Sequence, residues 1–190
     1  MKRIATIEVG SFAVNCSIIE HEGKIVLIDP GAEGERIAAL LDEKKLKPEA
    51  IYLTHAHFDH IGAIPFLQKK FPALKVRLHE KEVSVISHPF NQYPPEYPPV
   101  EVKNREPWKG DEAFVIETPG HTPGGVSYYF AAEKTLFSGD TLFAGAYGRT
   151  DLPGGSLPVL MESLKKLTSL PGDTEVIPGH GPFTTIATSR

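Results

Sequence analysis

Four side chains able to bind a metal ion fall within six residues: His55, His57, Asp59 and His60, in the segment THAHFDH. Imidazole nitrogen and carboxylate oxygen are donors that hold zinc, iron or manganese. In an extended backbone, side chains alternate between faces, so His55 and His57 point to one side and two imidazoles can reach one ion. Asp59 and His60 follow where the chain turns into a helix and enter the same pocket at another angle, which suits two neighbouring ions better than one. Each residue alone has an ordinary explanation: an isolated histidine is usually solvated or hydrogen-bonded, and Asp59 could cap the next helix. Four together at the mouth of the apolar run AIYLT do not, because desolvating so many titratable groups without a cation is costly.

Three later segments repeat an apolar strand that ends in a glycine-flanked donor. FVIETPGHTPGG carries His121, TLFSGDT carries Asp140 and EVIPGHG carries His180. Glycine lets the backbone turn sharply and approach an ion without a Cβ clash. Asp140 has the alternative of a plain turn residue, but it too follows an apolar strand.

Elements that would position these residues can be read from periodicity. IATIEV, VNCSIIE and KIVLIDP read as strands, the last two joined by the tight-turn sequence His21-Glu22-Gly23. Residues 34 to 45 place Ile37, Leu40 and Leu41 on one helical stripe, closed by Pro48, and a second helix is expected from Gly62 to Phe71, stopped by Pro72. KVRLH predicts a strand and EKEVSVIS a short helix. AFVIETP, VSYYF, TLFSGD and TEVIP predict four more strands, and Ser156 caps a helix bearing Leu157, Leu160, Met161, Leu164 and Leu167. This order suggests two sheets packed face to face with helices outside, although periodicity alone supports only one domain of mixed α and β.

Bulk properties bound the rest. The 190 residues suit one domain with a sizeable core. A net charge of −4 provides no footprint for nucleic acid. No stretch approaches the ~20 apolar residues of a membrane span, and the N-terminus lacks the apolar run of a secretion signal. The one cysteine, Cys16, reads as a small core residue and fits a reducing cytoplasm. His21, His79 and His88 lack partners at ligand spacing and are expected on the surface. Oligomeric state is left open.

THAHFDH, followed in order by His121, Asp140 and His180, resembles the metallo-β-lactamase superfamily over nearly the whole chain. The resemblance implies an α/β fold, a four-layer αβ/βα sandwich of two mixed sheets with helices on the outer faces. It implies two divalent metal ions, zinc foremost, with iron or manganese as alternatives. His55, His57 and His121 would hold one ion, and Asp59, His60 and His180 the other. Asp140 would bridge both beneath a bridging hydroxide, with Asp59 and Asp140 as the catalytic carboxylates.

The segment LFSGDTLFAGAYGRTDLPGG, with TPGHTPGGVSYY and PGHGP, resembles the glyoxalase II-like hydrolases, which cleave a glutathione thioester to free thiol and hydroxy acid. That likeness implies attack by the metal-bridging hydroxide on a small-molecule thioester. It places Arg149 where a basic residue binds the substrate's carboxylate end, with Tyr147 beside it; alternatively, Arg149 pairs with Asp151 to hold the loop. The pattern also carries a C-terminal helical domain, which is expected to be absent, since residues 1–190 end ten positions after His180. Substrate binding would then rely on loops such as 88 to 108, where Tyr93, Tyr97 and Trp108 are candidates for a cleft wall. Iron-dependent persulfide (sulfur) dioxygenases resemble the same family, share a Gly-Arg-Thr-Asp segment like 148 to 151, and would use one iron on His55, His121 and Asp140. A lactonase or β-lactamase is a further alternative. A module without catalysis is disfavoured, because none of the seven donors is replaced.

Overall fold

The central strands are apolar on both faces, so each face needs a cover. The computed structural model describes residues 1–92, 100–108 and 112–189. Its first sheet contains, in spatial order, β1 (Lys2–Val9), β2 (Val14–His21), β3 (Lys24–Ile28), β4 (Pro48–Tyr52), β5 (Lys75–Leu78) and β6 (Arg105–Pro107). The first three strands pair antiparallel and the rest parallel. The second half of the chain forms β7 (Val115–Glu117), β8 (Val126–Phe130), β9 (Thr135–Gly139), a small hairpin of β10 (Leu142–Phe143) and β11 (Ala146–Tyr147), then β12 (Glu175–Pro178) and β13 (Thr184–Thr185). The second sheet runs β13-β12-β9-β8-β7, with β12 and β9 parallel and the other pairs antiparallel. Both sheets are therefore mixed, as the resemblance implies.

Alternation along the strands sorts the large side chains into three apolar layers. Cys16, Ile18, Leu27, Ile51, Leu53 and Val76 pack outward against Ile37 and Leu41 of α1 (Gly34–Glu43). Ile61 of α2 (Phe58–Ile61) and Ile64 and Leu67 of α3 (Ile64–Lys70) join the same layer. Ile19, Val26, Ile28 and Tyr52, of opposite parity, meet Val126, Tyr128, Phe130, Phe137 and Ile177 between the sheets. Leu136 and Val176 face outward again, onto Leu160, Leu164 and Leu167 of α5 (Leu157–Thr168). Burying one such Leu or Ile contributes about 1.5–3 kcal/mol, and the layers require helix, sheet, sheet, helix in that order. Among the described residues no helix is long and apolar enough to cross a membrane.

Some expected boundaries shift. α1 ends at Glu43, and Lys45 turns the chain with φ 55°, so Pro48 opens β4 and does not close the helix. The helix expected at Gly62 starts earlier, at Phe58, directly on the histidine segment, and is interrupted before α3. The strand β6 was not anticipated. Glu22 and Gly23 both have positive φ, 51° and 74°, the backbone of a two-residue hairpin. Ser156 is the N-cap of α5, although its hydroxyl makes no capping bond.

Two aromatic-region expectations are corrected. Trp108 does not wall a cleft: its ring packs among Tyr52, Phe114 and Tyr128, its Nε1–H donates to the Tyr128 hydroxyl at 3.2 Å, and Arg77 lies 4.1 Å from the ring centre. The sheet edge offers it an apolar cover and a hydrogen-bond acceptor, which a solvent-facing loop would not. His21 is not a surface histidine, with 12% of its side chain exposed and its ring 4.7 Å from Phe114 and 5.0 Å from Phe130. Burial lowers its pKa, opposed by Glu22. A histidine with a depressed native pKa stabilises the fold above its unfolded value and loses that contribution as pH falls through both. The drop in Tm from pH 8 to pH 5 is therefore expected to be smaller in His21→Phe; equal drops would refute the assignment. Tyr93 and Tyr97 lie outside the described residues.

Candidate metal centre

All seven donors gather where parallel strands end. In open α/β sheets the carboxyl ends of parallel strands are where ligands bind, and here both sheets present such ends on one edge. β3 and β4 run parallel with Ile28 beside Tyr52, so Asp29 emerges next to Thr54 and His55. β9 and β12 run parallel with Gly139 beside Pro178, so Asp140 and His180 emerge together. The edge is stitched across the sheets by Asn15 N–H to the Gly179 carbonyl and Val126 N–H to the Thr54 carbonyl, both 2.8 Å.

The donors fall into three sets, of which that of His55, His60 and Asp140 overlaps the other two. His55, His57 and His121 each bring one ligand atom within 4.8 Å of the others, and so do Asp59, His60 and His180. His57 Nδ1 and His121 Nε2 are 3.0 Å apart. Asp140 lies between the sets: its Oδ2 is 3.6 Å from His121 Nε2 and 3.4 Å from His180 Nε2, and its Oδ1 is 3.5 Å from His60 Nε2. Asp59 Oδ2 lies 3.3 Å from His180 Nε2.

Outer contacts fix which nitrogen faces inward for four of the histidines, and for His57 it is Nδ1 that lies against His121. His121 Nδ1–H donates to the Arg149 carbonyl at 2.7 Å, and His180 Nδ1–H to the Phe12 carbonyl at 2.8 Å. His60 Nδ1–H donates to Asp29 Oδ2 at 3.0 Å. Thr54 commits its hydroxyl proton to the same Asp29 oxygen at 2.6 Å, so its oxygen accepts from His55 Nδ1–H at 3.1 Å. Four imidazoles therefore present Nε2, and His57 presents Nδ1. Such outer partners set tautomer and orientation in metal sites.

Two buried atoms inside this ring, His55 Nε2 and Asp140 Oδ1, have no hydrogen-bond partner. Buried polar atoms are otherwise nearly always satisfied. Five imidazoles and two carboxylates with two orphaned atoms at their centre fit divalent cations, the ions that the resemblance implies. Gly179 fits the same requirement: a Cβ there would sit 2.1 Å from Asp140 Oδ1. At Gly139, with φ +50°, a Cβ would meet Thr54 Oγ1 at 2.4 Å.

The electrostatics divide along the same lines. Burial holds His57 down at about 3, helped by His121, and pushes His55 well below its usual value, helped by His60. For His60 burial works in the same direction but is outweighed by Asp140, Asp59 and Asp29, so the imidazole sits well above its ordinary range. His180 is likewise raised to about 10 against burial, by hydrogen bonds to Asp140 and Asp59. Burial opposes ionisation of Asp140 and Asp59, yet His60 and His180 keep both lowered. His60 and His180 on one side and Asp140 and Asp59 on the other thus offset each other's charge, a role that bound cations would take over.

Substrate-side residues are placed less uniformly. Arg149 turns its guanidinium outward, 61% exposed, in a two-pronged pair with Asp151 at 2.7 and 2.6 Å. Tyr147 is 51% exposed on β11. A cavity of about 230 Å³ opens beside His57, walled by Val85, Phe90, Pro123 and Pro153, with Asn91 and His88 on its lining. His88 is exposed, as expected, but at the cleft. His79 is partly buried, 3.6 Å from Glu117. Sequence reasoning missed Asp29, Thr54 and Glu82. Asp29 carried a usable signal, since KIVLIDPG ends an apolar strand in a carboxylate beside glycine, as TLFSGD does.

Comparison with known proteins bears on this geometry. The family model of the metallo-beta-lactamase superfamily matches residues 9–180. The chain is 34% identical to the hydroxyacylglutathione hydrolase GloC of Haemophilus influenzae, over 98% of this chain and 94% of that protein. It is similar to the crystal structure of TTHA1623 in a di-iron-bound form, with TM-score 0.88 and 39% identity, covering 97% of this chain and 96% of that one. It is also similar to the B3 metallo-beta-lactamase BLEG-1, with TM-score 0.86 and 38% identity, covering 97% and 94%.

Proposed function

Because the chain belongs to the metallo-β-lactamase superfamily, we propose that it is a two-ion metallo-hydrolase that cleaves a glutathione thioester of the S-lactoylglutathione kind. The observation that carries this reading is the position of Asp140, whose carboxylate lies within 3.4–3.6 Å of imidazoles from both donor sets. One carboxylate shared by two complete sets is an arrangement for a pair of ions, which acyl-bond hydrolysis uses and a one-iron centre does not need.

His55, His57 and His121 would hold one ion, Asp59, His60 and His180 the other, and Asp140 both, with zinc as the first candidate and iron or manganese next. Two cations so held would lower the pKa of a bound water and polarise a carbonyl. Asp59, kept ionised by His60 and His180, serves as ligand and orienter, because a thiolate leaves without strong acid assistance. Arg149 can exchange Asp151 for a substrate carboxylate: the pair is exposed, exposed ion pairs hold weakly, and the guanidinium fork suits either carboxylate. Tyr147 lies two residues away on the same exposed segment. The cavity beside His57, with Val85, Phe90, Pro123 and Pro153 on its lining, supplies an apolar wall for the remainder of a small thioester. A reducing cytoplasm suits Cys16, which is a buried free thiol.

The test is turnover of S-lactoylglutathione, a β-lactam and glutathione persulfide by metal-loaded protein, with metal content measured alongside. Thioester hydrolysis is expected with two ions per chain, falling in His57→Ala and showing a raised KM in Arg149→Ala. Equal rates in the wild type and His57→Ala would overturn the reading. So would oxygen uptake on the persulfide with one iron per chain, which would assign His55, His121 and Asp140 to a sulfur dioxygenase, or turnover of the β-lactam alone.

A further inference from the structure

Glu82 opens helix α4 (Glu82–Ile86), and it is fully buried, at 0% exposure. It belongs to neither donor set. Its Oε2 accepts the N–H of Ala56 at 2.8 Å, and its Oε1 accepts the N–H of Gly124 at 2.7 Å. Ala56 stands between His55 and His57, and Gly124 lies three residues beyond His121. One carboxylate therefore ties together the two loops that carry the His55–His57–His121 set.

The surroundings are shaped for this contact. Asn91 donates from Nδ2 to the Ala56 carbonyl at 2.7 Å, so the peptide groups on both sides of Ala56 are held by side chains of the 82–91 segment. At Gly124 a Cβ would lie 2.8 Å from His79 Nδ1 and 3.0 Å from Glu82 Oε1, so a larger residue would crowd the carboxylate. Burying a carboxylate costs several kcal/mol unless its oxygens are hydrogen-bonded. A neutral side chain at position 82 would avoid that cost, so a carboxylate there is explained by the two loops it holds. No comparable tie reaches Asp59 or His60 from Glu82.

We propose that Glu82 is a positioning residue for the ion of the His55–His57–His121 set, fixing the separation of His57 and His121 without touching the Asp59–His60–His180 set. The proposal rests on the two-ion reading above. The two fail differently: wild-type protein that binds only one ion sinks that reading, whatever Glu82→Gln does.

The experiment measures zinc affinity by chelator competition, and the visible spectrum of the cobalt-substituted protein, in two backgrounds. His180→Ala leaves the His55–His57–His121 set intact, and His57→Ala leaves the other. Glu82→Gln keeps the shape but replaces one acceptor oxygen by a donor. It is expected to weaken zinc binding about 10–100-fold in the His180→Ala background and to alter the cobalt spectrum there, with no change in the His57→Ala background. Asn91→Ala, which frees the carbonyl of the same residue, should produce the same split more weakly and serves if Glu82→Gln fails to fold. Equal weakening in both backgrounds would reduce Glu82 to a general structural role, and unchanged affinity in both would refute the proposal.

Discussion

Gly179→Ala is expected to fold, to bind less than its full complement of metal, and to lose about 100-fold or more in kcat/KM, the scale of effect that a misplacement near 1 Å produces at a reacting centre. The added Cβ would lie 2.1 Å from Asp140 Oδ1 and 2.8 Å from His60 Cε1. The backbone cannot retreat, because Gly179 N–H donates to the Gly139 carbonyl at 2.9 Å while its own carbonyl accepts from Asn15 at 2.8 Å. Asn15 grips the next turn as well, donating from Nδ2 to the Pro178 and Gly181 carbonyls at 2.9 Å. The carboxylate must therefore move, and it lies within 3.4–3.6 Å of imidazoles from both donor sets. Gly181→Ala is the control: its φ of +78° makes alanine strained, but nothing lies within 4 Å of the new Cβ. It should lower Tm while leaving metal content near the wild-type level. Elemental analysis and steady-state kinetics of the two variants decide the matter, and a Gly179→Ala protein with normal metal and normal rate would sink it.

The seven donors were legible because each stands at the end of an apolar strand, beside glycine or inside one short histidine window. The layers were legible only in part: the order of strands and helices suggests two sheets with helices outside, and the four-layer sandwich came from the family resemblance, because periodicity within one element does not say which element covers it. The contacts that aim the donors were hidden, since they join residues far apart in sequence. Asp29 meets Thr54 and His60 across 25 and 31 residues, and Glu82 meets Ala56 and Gly124 across 26 and 42. Within EKEVSVIS, Glu82 looks like one more charge on a solvated helix; only the loops folded over it make it interior. Trp108 and His21 were misplaced for the same reason, because the apolar cover of each comes largely from the opposite sheet. Arg149 illustrates a different limit: its carbonyl orients His121 in any case, so the residue's position in the loop does not reveal what its side chain binds.

Asp29→Asn is expected to weaken metal binding about 10–100-fold and to cost about 2 kcal/mol of stability. Both oxygens of Asp29 are occupied by buried donors: Oδ1 by the Thr54 N–H at 2.8 Å, and Oδ2 by the Thr54 hydroxyl and the His60 Nδ1–H at 2.6 and 3.0 Å. An amide at this position has one acceptor where the carboxylate has two, and its NH2 must face a donor. If the NH2 takes the Oδ2 place, His60 loses the bond that turns its Nε2 inward. The Thr54 hydroxyl is then free to rotate and donate to His55, which would reverse that tautomer. One substitution would thus disturb a ligand from each donor set, although Asp29 belongs to neither. Asparagine is the informative choice because Asp29 has φ 48°, a left-handed conformation that Asn tolerates and Ala does not. Asp29→Ala would add backbone strain and confuse the result. Urea unfolding of the metal-free variant isolates the structural cost, and chelator competition on the reloaded protein isolates the orienting effect. Unchanged metal affinity beside lowered stability would show that Asp29 only supports the fold. Losses in both would show that the carboxylate behind the centre governs the direction in which His55 and His60 present their nitrogens.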